Sequence, residues 1–162
     1  MGISNANYIA GTPFVGADVK MYAGPGGNRG VFTAWDPVAQ RKVFEIKEDL
    51  PLWSPALATA GNVVFYGTLD GWFKAIDAHT GKLLWRFKTA SGIIGQPISY
   101  RGPDGRQYIA VASGVGGWAG AIVTADLDPS DPSGALGFVN AVKDLKNRVA
   151  AGGVVYVFAL PQ

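Results

Sequence analysis

A short motif that occurs twice, 41 residues apart, constrains the fold of this chain more than any other feature. In each copy an alanine is followed two positions later by an aspartate, and a large aromatic residue stands eight positions after the aspartate. The two copies are Ala34, Asp36 and Phe44, and Ala75, Asp77 and Trp85. A period of about 40–45 residues with about four strands per unit is typical of β-propeller blades. We therefore predict an all-β fold assembled from such blades.

The residue types of the more complete copy predict structural roles. Asp77 ends a strand, where its short carboxylate can accept backbone N–H groups of the following turn, which contains Thr80. Gly81 can supply the positive φ that a tight hairpin needs. Ala75 is small enough for neighbouring sheets to approach, and Trp85 can fill the space between two blades. We interpret these five residues as structural rather than catalytic.

The other copy is degenerate, because Ala39 and Gln40 replace the Thr-Gly pair of the turn. A second pair of matching residues nevertheless supports the repeat. Pro55, in a segment that begins at Trp53, has a counterpart 42 residues later in Pro97.

Short runs rich in β-branched and aromatic residues, bounded by Gly, Pro, Asp or Asn, predict eight strands. They are Val31–Asp36, Lys42–Ile46, Val63–Thr68, Trp72–Asp77, Leu83–Lys88, Gln107–Ser113, Ala121–Ala125 and Val154–Leu160. One short helix is predicted near the C-terminus, where apolar residues recur at helical spacing between Phe138 and Val149.

Composition and charge exclude several classes of protein. Hydrophobic residues make up 48% and charged residues 16% of the chain, which excludes a disordered chain. No apolar stretch approaches the roughly 20 residues of a membrane-spanning helix, so no membrane span is expected. The net charge is +2 with no long basic run, so no nucleic-acid partner is expected. The absence of cysteine removes disulfides and thiolate chemistry.

Three weaker patterns are interpreted as structural. His79, the only histidine, lies in the turn of the motif and is expected to face solvent rather than act as a base. The glycine-rich segment 114–119 fits a dinucleotide fingerprint, but a strand is expected after it instead of the required helix. Asp126, Asp128 and Asp131 lack the spacing of a calcium loop and predict a solvated loop.

The motif over residues 75–85 resembles the tryptophan docking motif of quinoprotein alcohol dehydrogenases, which use pyrroloquinoline quinone (PQQ) and have an eight-bladed propeller. Residues 53–61, 64–75 and 113–118 are similar to the C-terminal part of the methanol dehydrogenase large subunit. The resemblance implies a partial propeller of about three to four blades. Residues 1–6 are interpreted as a cloning remnant and residues 7–162 as one domain.

The resemblance also implies which residues meet the cofactor. The position of Trp53 matches the tryptophan on which the quinone ring stacks, and Gly117 and Trp118 match a pair at the cofactor's edge. Without the resemblance, Trp53 is interpreted as a core residue between two blades. In the family, the catalytic aspartate, the ligands of the calcium or lanthanide ion and a vicinal cysteine pair lie upstream. No catalytic residue and no metal ligand can be assigned here, so the chain alone is expected to be inactive.

Two functions follow as hypotheses. In the first, the chain is part of a periplasmic oxidoreductase that converts methanol or another primary alcohol to the aldehyde and passes electrons to a cytochrome c. In the second, it is a non-catalytic β-repeat scaffold or binding module. Exposed blade edges predict self-association of the chain.

Overall fold

The computed structural model describes residues 2–3, 10–11, 18–19, 21–125, 127–128 and 137–160. The strands in these residues are β1 (Gly2–Ile3), β2 (Asp18–Val19), β3 (Gly30–Asp36), β4 (Arg41–Glu48), β5 (Leu57–Ala58), β6 (Val63–Gly67), β7 (Trp72–Asp77), β8 (Leu83–Lys88), β9 (Ile98–Arg101), β10 (Gln107–Ser113) and β11 (Val154–Ala159). The helices are α1 (Gly117–Thr124) and α2 (Val139–Val142), and a 3₁₀ turn follows over Leu145–Asn147.

The strands form antiparallel sheets whose order follows the chain. Strands β5, β6, β7 and β8 make a four-stranded sheet, β3 pairs with β4, and β1 pairs with β2. Strands β9, β10 and β11 form a three-stranded sheet in the order β11-β10-β9. The prediction of an all-β partial propeller is confirmed, and seven of the eight predicted strands lie where expected.

The turn between β7 and β8 has the geometry that its residue types predict. The carboxylate of Asp77 accepts the backbone N–H groups of His79 at 3.1 Å and Thr80 at 2.8 Å, and the Thr80 hydroxyl at 2.8 Å. These hydrogen bonds, the Thr80 hydroxyl first, lower the pKa of Asp77. Gly81 has a φ of +71°, in the left-handed region that glycine favours.

The degenerate copy forms the same turn without the glycine. Asp36 accepts the N–H groups of Val38 at 2.9 Å and Ala39 at 3.0 Å. Gln40, four residues after the aspartate like Gly81 in the other copy, has a φ of +51°. A non-glycine residue has a steric cost in this region, so Gln40 adopts a conformation that its side chain disfavours.

The pairing of the strands repeats as well. The register shifts between Ala34 and Trp35 in the β3–β4 sheet, and between Ala75 and Ile76 in the four-stranded sheet. Because these register shifts fall at equivalent positions of the repeat, the two hairpins have the same local backbone conformation.

Aromatic side chains fill the space between neighbouring sheets. Trp85 of β8 contacts Phe158 of β11 edge to face, with ring centroids 5.1 Å apart, so its indole lies between two sheets. Phe44 of β4 lies against Gly81, where a Cβ atom would come within 2.5 Å of its ring. Ala75 is buried.

A buried ion pair also joins the β3–β4 sheet to the four-stranded sheet. Glu48, at the end of β4, accepts hydrogen bonds from the Tyr66 hydroxyl and from Lys74 Nζ, both at 2.7 Å. Burial first, and the carboxylate of Glu48 second, raise the pKa of Tyr66, so its hydroxyl remains a donor. Each charge compensates the other, because a single buried charge without a partner would be strongly destabilising.

The predicted strand over Ala121–Ala125 is wrong, because these residues belong to α1 and its end. Ala119 and Ile122, three residues apart, are the buried residues of this helix and pack in one cluster with residues of α2. Burial of that face outweighs the strand preference of Ile122 and Val123. The helical segment predicted near the C-terminus is present as α2 and the 3₁₀ turn.

Two short strands, β5 and β9, were not predicted. Both lie directly after connections that contain proline. Among the described residues, no helix has both the length and the apolar character needed to cross a membrane.

An ionic cluster fastens α2 to the start of β3. Arg29 donates to both carboxylate oxygens of Asp144, at 2.6 and 2.9 Å, and to the carbonyl oxygens of Asp49 at 2.8 Å and Ala141 at 2.9 Å. Arg148 pairs with the same carboxylate at 2.9 Å. The hydrogen bond from Arg29 first, and the charges of both arginines, lower the pKa of Asp144 to about 2.

We expect the Gln40→Gly variant to be more stable than the parent chain by about 1 kcal/mol, because glycine occupies the left-handed region without steric cost. Chemical denaturation measures the free energy of unfolding. Gly81→Ala is the matched control and should lose about 1–3 kcal/mol, since its Cβ would strike the ring of Phe44. Equal effects of both substitutions would contradict this account of the turns.

We expect the Asp144→Asn variant to lose about 1–2 kcal/mol at neutral pH, because Arg29 loses a charged acceptor. The pKa of Asp144 is lowered in the folded state, so its contribution is present above about pH 4 and is lost as the pH falls toward about 2. The variant should therefore show a shallower loss of stability over that range in denaturation at stepped pH. Asp49→Asn, which removes an exposed carboxylate 3.3 Å from Arg148, should match the parent within about 0.5 kcal/mol.

Candidate cofactor-binding site

The connections that follow β4 and β8 meet at one end of the sheets. Ser54, in the β4–β5 connection, donates its hydroxyl to the carbonyl oxygen of Gly95 in the β8–β9 connection, at 2.9 Å. The same hydroxyl oxygen accepts the N–H of Gly67 at the end of β6, at 3.3 Å. One side chain thus fixes the two connections that the repeat makes equivalent.

The β6–β7 turn and the end of β10 join the same group of connections. The N–H of Ile93 donates to the carbonyl oxygen of Thr68 at 3.0 Å, and the N–H of Gly114 donates to Gly92 at 2.7 Å. Four chain segments that are distant in sequence therefore assemble into one surface, which is the end of the sheets that carries the site residues predicted from the resemblance.

Trp53 lies in the β4–β5 connection, immediately before Ser54, and is 38% exposed. Its indole contacts the ring of Phe138 edge to face, with centroids 4.8 Å apart and planes at 74°. Phe138 is only 8% exposed and directly precedes α2. Trp53 therefore exposes part of its indole to solvent and packs another part against Phe138.

Gly117 and Trp118 form the first turn of α1 at the same end. Trp118 is 46% exposed. The first turn has no acidic residue and no side-chain cap, and a Cβ atom placed on Gly116 or Gly117 would meet nothing within 4 Å. The first N–H groups of a helix lack acceptors within the helix and carry partial positive charge, so this open end favours a negatively charged group.

One apolar cluster contains a residue beside each of the two tryptophans. Phe138, which touches Trp53, and Ala119, which follows Trp118, belong to it. The buried members of the cluster are Leu50, Leu69, Ala119, Ile122, Phe138, Val139, Ala141, Val142 and Leu145. The structure thus brings Trp53, Gly117 and Trp118 to one end of the sheets, while their contact with a cofactor stays a prediction.

Sequence reasoning missed Phe138 and Ser54 as parts of this end. The helical spacing around Phe138 signals burial, but it carries no information about a partner 85 residues away. The 42-residue spacing of Pro55 and Pro97 places the two connections at equivalent positions of the repeat. This spacing is the sequence signal from which the Ser54–Gly95 contact could have been predicted.

Other predicted features have different outcomes. His79 is exposed in its turn, as expected. The strand expected after segment 114–119 is wrong, since helix α1 begins at Gly117 within the segment and continues to Thr124. The strand before it, β10, pairs antiparallel with both neighbours, so the parallel βαβ unit of such sites is missing there. Asp126 and Asp131 lie outside the described residues, and Asp128 is exposed.

A cavity of about 280 Å³ lies beside the site rather than in it. It opens between α1 and α2 and is lined by Ile122, Val123, Leu127, Asp128, Val139, Val142, Lys143 and Lys146. None of the predicted cofactor residues lines it. Within the residues that the structure describes, no group of three or more His, Asp or Glu side chains could hold a metal ion.

Comparison with known proteins agrees with the motif and the fold. The family described as "PQQ: Glucose/ethanol/alcohol dehydrogenase, beta-propeller domain" matches residues 28–109, or 82 of the 162 residues. The chain therefore belongs to this family of quinoprotein propeller domains, which confirms the resemblance.

Several relatives are methanol dehydrogenases. The chain is 50% identical over 160 residues to the lanthanide-dependent methanol dehydrogenase of Methylacidiphilum fumariolicum, covering 96% of this chain and 26% of the relative. It is 46% identical over 159 residues to methanol dehydrogenase [cytochrome c] subunit 1 of Methylobacterium organophilum, covering 94% of this chain and 25% of the relative. The chain thus spans about a quarter of the length of these curated relatives.

A solved structure is similar over nearly the whole chain. It is a europium-containing methanol dehydrogenase, 49% identical in sequence, with a TM-score of 0.84. The match covers 98% of this chain and 28% of that one. Methanol dehydrogenases that contain or depend on a lanthanide are therefore among the relatives of this chain.

Proposed function

We propose that this chain is the C-terminal quarter of the catalytic subunit of a PQQ-dependent alcohol dehydrogenase that oxidises methanol or another primary alcohol to the aldehyde. The observation that carries the proposal is the identity of 46–50% to methanol dehydrogenases over at least 94% of the chain. The match covers nearly the whole chain, and Trp53, Gly117 and Trp118 share one end of the sheets.

The side chains at that end suit a flat, anionic quinone. The half-exposed indoles of Trp53 and Trp118 offer planar apolar surfaces to an aromatic ring system. The open first turn of α1, at Gly117, offers N–H groups to a carboxylate. When bound, PQQ supplies the two-electron oxidation. This chain supplies one wall of the pocket, orients the ring and excludes water from its edge.

The remaining parts of the reaction are assigned to other parts of the subunit. We place the base that removes the hydroxyl proton and the ligands of a calcium or lanthanide ion outside this chain, so the chain alone is inactive. A cytochrome c as electron acceptor and a periplasmic location belong to the same proposal. The name of the Methylobacterium relative, which includes cytochrome c, supports the choice of acceptor.

A second candidate function, a non-catalytic module that associates with itself, is favoured by one exposed face. The three-stranded sheet packs one face against the four-stranded sheet through Phe158. Its other face presents large apolar side chains that are about half exposed. They are Ile98, Tyr100, Val155 and Val157. Pairing of two copies through this face would bury apolar surface that the chain alone leaves in water.

The proposed quinone pocket is tested in a chimera in which this chain replaces the matching quarter of the Methylacidiphilum enzyme. We expect the chimera to retain PQQ, measured by its absorbance after desalting, and to oxidise methanol with an artificial electron acceptor. Trp53→Ala should weaken PQQ retention about tenfold or more, because a large aromatic contact is truncated. Trp35→Ala, at an exposed tryptophan near the opposite end of β3, is the matched control and should change nothing. A chimera that folds with a native circular dichroism spectrum and holds no PQQ contradicts the proposal.

Self-association is tested by sedimentation equilibrium of the 162-residue chain over a wide concentration range. We expect a dimer whose dissociation constant rises at least about tenfold in Val157→Lys, since the substitution places a charge on the apolar face. Val38→Lys, in the exposed turn after β3, should leave the dimer unchanged. A chain that stays monomeric at the highest concentration would rule this association out.

A further inference from the structure

The indole of Trp53 is supported from two directions. Its backbone is fixed by the neighbouring Ser54, whose hydroxyl bonds to Gly95 and accepts from Gly67. Its ring is held by Phe138, edge to face at 4.8 Å. A half-exposed tryptophan without a ring contact could sample several side-chain rotamers, so these contacts select one of them.

Phe138 is itself held firmly. It is nearly buried and belongs to the apolar cluster beneath α1 and α2. The preceding Gly137 has a φ of +81°, and a Cβ atom there would lie 2.1 Å from the carbonyl oxygen of Val19, so the backbone approaches β2 closely. On the other side, the pair of Arg29 and Asp144 ties α2 to the start of β3.

We propose that Phe138 is a positioning residue for the quinone pocket. It sets the angle at which Trp53 presents its indole to the cofactor, and it does so from behind the indole, because it is itself nearly buried. This inference rests on the proposed function, since it assigns to Phe138 a role in the same site. A ring fixed before binding saves the entropy of ordering it when the cofactor arrives, which strengthens binding.

A contact that only fills volume would tolerate any apolar side chain of similar size. A positioning contact needs an aromatic ring, because the edge-to-face arrangement depends on the charge distribution of the ring. The variants Phe138→Leu and Phe138→Tyr separate these roles, since leucine keeps the apolar character and tyrosine keeps the ring.

The first measurement uses the 162-residue chain labelled with 5-fluorotryptophan, whose five tryptophans give five ¹⁹F resonances. The resonance of Trp53 is assigned by its loss in Trp53→Phe. We expect Phe138→Leu to shift and broaden it, and Phe138→Tyr to leave it close to the parent position. Phe158→Leu is the matched control, because it removes the corresponding contact to Trp85 at 5.1 Å and should move that resonance instead.

The second measurement is PQQ retention by the chimera that carries each variant. We expect Phe138→Leu to weaken retention about three- to tenfold, and Phe138→Tyr and Phe158→Leu to match the parent. Retention by Phe138→Leu equal to that of a PQQ-binding parent, or an unmoved Trp53 resonance, overturns the positioning role alone. A folded parent chimera that holds no PQQ overturns the proposed function and this assignment with it.

Discussion

Aromatic packing between neighbouring sheets is the interaction on which the rest of this structure depends. None of the sheets in the described residues has more than four strands, and sheets of this size need a partner to bury their apolar faces. Trp85 and Phe158 join the four-stranded and three-stranded sheets. Phe32 and Tyr66, stacked at 4.6 Å, join the β3–β4 sheet to the four-stranded one. The buried pair of Glu48 and Lys74, also between those two sheets, adds a geometrically specific contact to this apolar packing.

Once the sheets are fixed against one another, their connections gather at one end, and the candidate site is built there from segments that are far apart in the chain. Trp53 depends on a serine hydroxyl that reaches the equivalent connection of the next repeat and on a phenylalanine from the helical layer. That layer is in turn anchored by Arg29 and Asp144. The pocket wall is therefore a product of the whole chain rather than of one loop.

Local signals predicted most of this fold. The strands β7, β8 and β10 and the carboxylate-capped turn at Asp77 follow from residue type and short spacing alone. Helix α1 was missed because its β-branched residues favour a strand locally, and only burial against α2 decides otherwise. The candidate site residues Trp53 and Trp118 came from the family resemblance, since nothing in periodicity distinguishes a pocket wall from a core tryptophan. The partner of Trp53 depends on a tertiary contact that no local pattern encodes.

The left-handed Gln40 has a consequence for how such proteins are recognised. Its turn keeps the carboxylate cap and the backbone path of the glycine-containing copy, although the threonine and glycine of the motif have been replaced. Tertiary fit between adjacent units, rather than the identity of the corner residue, therefore preserves the shape. Searches that count the repeats of a propeller by their motif residues will therefore miss divergent repeats. Such repeats are better detected from backbone geometry than from residue identity.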